Sequence, residues 1–482
     1  MKLLSNYLYN VSFQLLNVLI PFVTLPYVSR VLGVDNMGIN AYTNSIIIYF
    51  VLIANFGTSL YGSRTIAYNR DNIYKRTQVF CEILTIKFIM ALISFLLLLG
   101  FTSVCHSYSY IIYLQAIHII AAAFDISWLY TGLEDFKKIA IRNFFVKLFS
   151  CFLMFLLVTN EDDLENYIVI LSASSLLGNL LFWLYIKNYL VKIRLSTIRV
   201  YSHIVPIIIL FMPQISISIF TTVNRIFLGN FSSLSQVGYF DVADKLIRIV
   251  LPIIVAIGGV FFPRIANNFN NGYYDKVNKL TQIAFRLTFL LSVPIAFGLV
   301  CISDIFSNLL FGEKFHGIST VISILSIALI FMSGASIIGN QYLVAINQPK
   351  YLTVSLTIAT AVLILFSILL TPLHGAIGAA LAALIGEATA FLVLLFCVSK
   401  YFKLKFLFVD FFKILLSGLV MVMVCLSARG LFSVSEYADF INLFTQIILG
   451  VLSYTFCLFL LKTDIANLIK NEVYNKFRAL NK

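Results

Sequence analysis

The sequence predicts an all-α polytopic membrane protein of about fourteen transmembrane helices. Composition is the first reason: 60% of the 482 residues are apolar and only 11% are charged, against about 25% charged in soluble domains. Spacing is the second, because the apolar residues gather into runs near the length of about 20 that one spanning helix needs. The placement of basic residues is the third, and it also orients the chain.

The runs fall at roughly 10–29, 39–61, 79–103, 110–131, 143–159, 167–186, 204–228, 238–262, 283–304, 318–344, 352–371, 376–398, 411–430 and 440–461. The N-terminus has one Lys and the polar Asn6, Asn10, Gln14 and Asn17, and no small-residue cleavage site follows, so the first span is expected to be retained. The fifth is short and soft at its ends. The tenth is long enough to bend or to end early at Asn340–Gln341.

Loops between these runs alternate between two sides. One side holds the N-terminus, the segments near 62–78, 132–142, 187–203, 263–281, 345–351 and 399–413, and the C-terminal tail. It carries 25 of the 34 Lys and Arg, while the other side carries only Arg30, Lys314 and Arg429. The excess of Lys and Arg marks the first side as cytoplasmic, with both termini there. The run Glu161-Asp162-Asp163-Leu164-Glu165 then lies outside. The net charge of +13 is absorbed by this topology and by attraction to anionic membrane lipid; nucleic acid is not an expected partner. In the tail, Ile465, Leu468, Ile469, Val473, Phe477 and Leu480 share a helix face, as in an interfacial amphipathic helix.

The seven Cys and five His are scattered, and none forms a metal-ligand spacing. No metal or other cofactor is expected. Outer loops of at most about 13 residues leave little room for catalysis, so a transporter is expected rather than an enzyme.

A weak internal repeat divides the runs. Arg30-Val31-Leu32-Gly33 with Gly38-Ile39 at the first turn is echoed by Arg225-Ile226-Phe227-Leu228-Gly229 with Gly238-Tyr239 after the seventh, and Pro21 and Pro213 precede the two turns. Duplicated halves are a common transporter plan. The expected division is an N-lobe of spans 1–6 (1–203), a C-lobe of spans 7–12 (204–398), spans 13–14 (399–461) and the tail (462–482).

Six basic residues sit within the runs: Lys87, Lys147, Arg225, Lys245, Arg248 and Arg286. A Lys or Arg at the bilayer centre costs about 2.5–3.5 kcal/mol. Lys147, Arg286 and Arg225 are near enough to an end to snorkel. Lys87, Lys245 and Arg248 are deeper; Arg248 is about 15 Å into its span. Asp241–Lys245 and Asp244–Arg248 are i,i+4 pairs in the favourable order. They read either as mutual neutralisation or as exchangeable pairs that release the cation to a phosphate. Asp125 and Glu387 are further deep acids, and with Asp241 and Asp244 they are the candidates for a coupling ion. Polar stripes run along span 1 (Asn10, Gln14, Asn17, Thr24), span 2 (Asn44, Asn55, Ser59), span 4 (Gln115, His118, Asp125), span 7 (Gln214, Ser218, Thr221, Arg225) and span 10 (Ser333, Ser336, Asn340). Such stripes join helices or line a polar cavity.

Four segments carry a resemblance. Pro26-Tyr27-Val28-Ser29-Arg30-Val31-Leu32-Gly33 resembles the span-1 signature of bacterial polysaccharide repeat-unit flippases of the Wzx type, in the MOP flippase superfamily. Tyr61-Gly62-Ser63-Arg64-Thr65-Ile66-Ala67 is similar to their loop 2–3. Phe124-Asp125-Ile126-Ser127-Trp128-Leu129-Tyr130 with Gly132-Leu133-Glu134-Asp135-Phe136 is similar to their span 4, and Gly375-Ala376-Ile377-Gly378-Ala379-Ala380 to the start of their span 12. The resemblance covers spans 1–12. It implies a MATE-like, alternating-access transporter that moves an undecaprenyl-diphosphate-linked oligosaccharide to the outer leaflet for O-antigen or capsule biosynthesis. It also implies H+ or Na+ as a coupling ion and glycosyltransferases and a polysaccharide polymerase as neighbours in the pathway. On this reading Arg30, Arg64, Lys87, Arg225, Lys245, Arg248, Asn17, Asn44 and Gln214 bind diphosphate or sugar. One departure is Asn224 before Arg225, where the family often has Asp; coupling here then uses another acid or is absent. A MOP-type drug or solute cation antiporter is the alternative, disfavoured by the excess of bases over acids within the spans. A membrane polymerase or ligase of the same pathway would carry a large external loop.

Overall fold

The structure is a computed structural model that describes the backbone of residues 2–193, 199–401, 408, 410–429 and 438–463, with side chains from residue 18 on except at 438. Among the described residues there is no strand. The helices are α1 (Lys2–Asn55), α2 (Thr58–Tyr68), α3 (Ile73–Val104), α4 (Ser109–Gln115), α5 (Ile117–Ala123), α6 (Ser127–Gly132), α7 (Phe136–Leu157), α8 (Leu164–Trp183), α9 (Tyr201–Phe231), α10 (Leu234–Asn270), α11 (Tyr274–Phe311), α12 (Ile318–Ser336), α13 (Lys350–Val398), α14 (Phe411–Ser427) and α15 (Ala438–Leu460).

Eleven helical runs of the described residues are long and apolar enough to cross a membrane. Two of them, Val18–Tyr68 and Lys350–Val398, are 51 and 49 residues long and each is broken within its length by a non-helical glycine, the first also turning at Phe56–Gly57 between α1 and α2. The breaks are Gly33 (φ 75°, ψ 175°) in α1 and Gly375 (φ 54°, ψ −130°) in α13, conformations that glycine adopts without steric cost. Counting each broken run twice and adding the shorter apolar α14 reproduces the fourteen expected spans. The turns expected after spans 1 and 11 thus shrink to one non-helical glycine each.

Three spans differ in detail from the apolar windows. Span 4 is three short helices, broken at Ala116 and again at Phe124–Ile126. Span 5 begins at Phe136, so the segment 136–142 is helix and Arg142 lies inside it. Span 10 changes to a π-helix over Ile337–Leu343, at the Asn340–Gln341 position where a bend was expected; such π segments are frequent at functional sites. The amphipathic tail and the side chains of Asn10, Gln14 and Asn17 lie outside the described residues.

The chain forms two compact units, Met1–Asp241 and Val242–Lys482, and the boundary falls inside α10. In the first unit, Ile47, Ala54, Leu98, Ile112 and Ile119 pack α1 against α3, α4 and α5. A second cluster of Ile66, Phe80, Ile83, Trp128, Leu129 and Phe182 joins α2, α3, α6 and α8. In the second unit one core runs through Phe285 and Phe289 of α11, Leu343, Phe391 of α13, Met421 of α14 and Tyr454 of α15. By contrast, α7 leaves Phe145, Leu148, Phe149, Phe152 and Leu156 exposed, as a helix facing lipid does.

The motifs of loop 2–3 and span 4 meet in the first unit. A Cβ on Gly62 would stand 2.5 Å from the Trp128 ring, and one on Gly132 would stand 2.6 Å from the Ser63 carbonyl oxygen. These glycines are needed for close approach rather than for chemistry. Gly62→Val should destabilise the protein by about 1–3 kcal/mol through overpacking; thermal unfolding in detergent that matches the native chain would refute this.

Candidate functional site

Three of the six basic residues within the spans stand beside carboxylates. Arg225, at the end of α9, donates from Nε to Asp241 Oδ1 at 2.7 Å and from Nη1 to the Thr221 carbonyl at 2.7 Å. Their side chains are 11% and 3% exposed, so this guanidinium is enclosed. Asp241 therefore reaches across to α9, a partner that spacing along its own helix does not point to. In the second unit Arg248 donates from Nε to Asp244 Oδ2 at 2.8 Å, which is the expected i,i+4 pair. Here the carboxylate is buried and the guanidinium is 39% exposed. Glu387 of α13, half-buried, lies within electrostatic reach of both. Arginine presents five N–H donors in a fixed fork that suits phosphate, and this guanidinium is part-exposed.

Lys87 differs. Its ammonium has no exposed surface and stands 3.8 Å from Asp125. Asp125 also accepts from the Ser127 backbone N–H at 2.9 Å, just where span 4 breaks. The pair pins that break, and Lys87 presents nothing to a cavity in this conformation.

The remaining expected site residues are dispersed. Arg30 is exposed, one turn before the break at Gly33. Arg64 is exposed on α2 and donates to the Tyr68 hydroxyl at 3.0 Å, stacked over that ring. Asn44, Gln214 and Lys245 are half-buried on α1, α9 and α10. The side chain of Asn17 lies outside the described residues.

The two copies of the sequence repeat touch. A Cβ on Gly38 would meet the Leu234 carbonyl oxygen at 1.8 Å, and a Cβ on Gly238 would meet the Val34 carbonyl oxygen at 2.2 Å. The contact is reciprocal: 34 faces 238 as 38 faces 234. Around it, Ser235 hydrogen-bonds Asp35, and Tyr42 donates to Asn230 at 3.2 Å. From there α1 and α9 run antiparallel through Tyr49–Thr222 at 2.8 Å to Phe56–Phe211, with ring centroids 5.0 Å apart.

Several polar clusters were not singled out by sequence. Arg142 donates to the Gly178 carbonyl at 2.7 Å and to Asn179 at 2.5 Å, over a glycine whose missing side chain makes the room. It was read as a loop residue because the polar start of α7 hid the helix. Asp135 accepts from the Tyr189 hydroxyl at 2.5 Å, and Lys138 donates to the same hydroxyl and lies over the Tyr189 ring. Burial first, and then the bond to Asp135, push the Tyr189 pKa up. Glu82 and His203 form a buried pair with Tyr61. Only tertiary structure brings these distant residues together.

The comparisons agree with this architecture. The profile of the family described as polysaccharide biosynthesis protein matches residues 3–269. A provisionally named O-antigen transporter of Escherichia coli (strain K12) is 24% identical over 394 residues, covering 80% of this chain and 94% of the relative. A glycan biosynthesis flippase of Haloferax volcanii, also provisionally named, is 26% identical over 228 residues, covering 47% of this chain and 48% of its own length. Among solved structures, the lipid II flippase MurJ in an inward closed conformation aligns with a TM-score of 0.69 at 18% identity, over 96% of this chain and 99% of that one. An inward-facing multidrug resistance transporter of the MATE family aligns with a TM-score of 0.60 at 13% identity, over 83% and 98%. At such identities these two likenesses establish a MOP-type fold. With more than half of its length matched by the family profile, the chain belongs to the polysaccharide biosynthesis protein family.

Proposed function

We propose that the protein is a flippase that carries an undecaprenyl-diphosphate-linked oligosaccharide repeat unit from the inner to the outer leaflet of the bacterial cytoplasmic membrane, by alternating access of the repeated lobes 1–203 and 204–398. The observation that carries this reading is Arg248, a part-exposed guanidinium held 2.8 Å from a buried carboxylate within a membrane helix. A diphosphate is a fixed anion and needs such a cation along its path. Family membership supplies the glycan. Half-buried amides such as Asn44 and Gln214 offer the donors and acceptors that sugars require. Both termini are placed on the cytoplasmic side, with glycosyltransferases upstream and a polymerase downstream.

Coupling is assigned to the acids beside Arg248, namely Asp244 and Glu387, with H+ or Na+ as the ion. The test uses proteoliposomes that hold a fluorescent undecaprenyl-diphosphate oligosaccharide and an impermeant glycosidase outside. Native protein should expose inner-leaflet substrate faster than protein-free vesicles do; equal rates would sink the flippase reading. Glu387→Gln should remove the response to imposed proton or sodium gradients, and a retained response would exclude Glu387.

A further inference from the structure

The seam along which α1 and α2 meet α9 and the start of α10 is closed at both ends by different chemistry. At one end the contact is backbone against glycine. At the other it is a chain of polar side chains from three elements. His203, in the first turn of α9, shares a proton with Glu82 of α3 across 2.7 Å (Nε2 to Oε2), and its Nδ1 lies 2.7 Å from the Tyr61 hydroxyl of α2. Glu82 also accepts from the Arg199 backbone N–H at 2.7 Å and from Gln78 at 3.0 Å. The carboxylate thus satisfies an N–H at the start of α9 and lies where the helix dipole favours negative charge. The side chains of Glu82 and His203 are 4% and 9% exposed.

From these contacts we infer that Tyr61, Glu82 and His203 are a lock that holds the base of the seventh span to the second and third. Three features make it a lock rather than ordinary core. Its bonds are polar and discrete, so they break and re-form as a unit, whereas an apolar contact loses area gradually. Elsewhere α9 packs chiefly on α1 and α2, and Glu82 ties it to α3. Beyond the lock, α9 contains Pro206 and Pro213, each of which removes a helix hydrogen bond and provides a bending point. Once His203 leaves Glu82, the first turn of α9 can swing about Pro206. In that movement the buried Glu82 and the Arg199 N–H lose bonds to each other and to His203, an unfavourable loss for buried polar groups, which holds the closed state until something compensates.

The inference rests on the alternating-access reading, but its first test needs no substrate. The full chain, with its seven native cysteines replaced, is spin-labelled at Lys75→Cys and Ser202→Cys, both exposed near the lock, and placed in nanodiscs. The distance distribution is read by pulsed EPR. One short population is expected with the native lock. Glu82→Ala and His203→Ala should each add a longer population. Glu82→Gln should keep the short one, because an amide still accepts from Arg199 and donates to the imidazole. Tyr61→Phe removes one hydroxyl with little risk to folding and should give an intermediate distribution. Unchanged distances in the Ala and Phe variants would overturn the lock. In the transport assay, bridging the two cysteines with a short bis-maleimide should stop movement, while labelling with a monofunctional maleimide should not. Transport that persists in the bridged protein would overturn it equally. A lock that opens in a protein without flippase activity would instead fault the functional reading alone.

Discussion

Gly38→Ala, a change of one methyl group, should reduce transport by about tenfold or more, and Gly238→Ala should do the same. The added carbon would stand 1.8 Å from the Leu234 carbonyl oxygen, or 2.2 Å from that of Val34. Neither oxygen belongs to a flexible side chain, so the helices themselves must separate. Overpacking of this kind costs about 1–3 kcal/mol, enough to shift a two-state equilibrium about five- to 150-fold. In an alternating transporter the closed state of this end is the one that disappears. Gly100→Ala is the control, because nothing lies within 4 Å of its missing Cβ. The measurement is glycan delivery in the proteoliposome assay at matched protein levels. Equal activity in all three variants would refute a role for this contact in closure.

Arg248→Glu should be more severe than Arg248→Ala, and both should lose transport without loss of folded protein. The acidic variant sets a third carboxylate beside Asp244 and Glu387, so on the proposed reading an incoming diphosphate would meet repulsion in place of a guanidinium. Arg248→Lys keeps the charge but loses the bidentate geometry and should retain partial activity. Arg225→Ala should behave differently. Its guanidinium is enclosed, so its removal breaks a buried ion pair with Asp241, a loss of about 3–5 kcal/mol that should appear first as a lower melting temperature. If Arg248→Glu transports as well as the native chain, the cation is not on the substrate path.

The membrane class and the number of spans were legible in the sequence because hydropathy and length suffice for them. Helix breaks were legible only where a glycine marked them, as at Gly33 and Gly375. The break at Phe124–Ile126 carries neither Gly nor Pro, and it is held by Asp125 and Lys87, whose meeting no spacing along one helix reveals. The i,i+4 pair Asp244–Arg248 could be read directly because both residues are on one helix. Asp241–Arg225 could not, since its geometry depends on how α9 and α10 pack. The Tyr61–Glu82–His203 lock spans 142 residues between its outer members, and each member alone is an unremarkable polar residue. The loop 2–3 and span 4 motifs were recognisable as strings, but their physical content is a glycine that lets Trp128 approach.

The reciprocal packing of Val34 and Gly38 against Gly238 and Leu234 has a genetic consequence. Its form is isologous, the kind of contact that two identical surfaces make about a two-fold axis, although both surfaces belong to one chain. In most helix pairs a bulky substitution can be rescued by trimming the side chain it strikes. Here the nearest struck atoms are carbonyl oxygens, which every residue carries. Suppressors of Gly38→Ala should therefore not arise at Leu234, nor those of Gly238→Ala at Val34. They should map to residues that let a helix tilt or slide, and a suppressor screen would reveal the pivots of the machine by where its revertants fall.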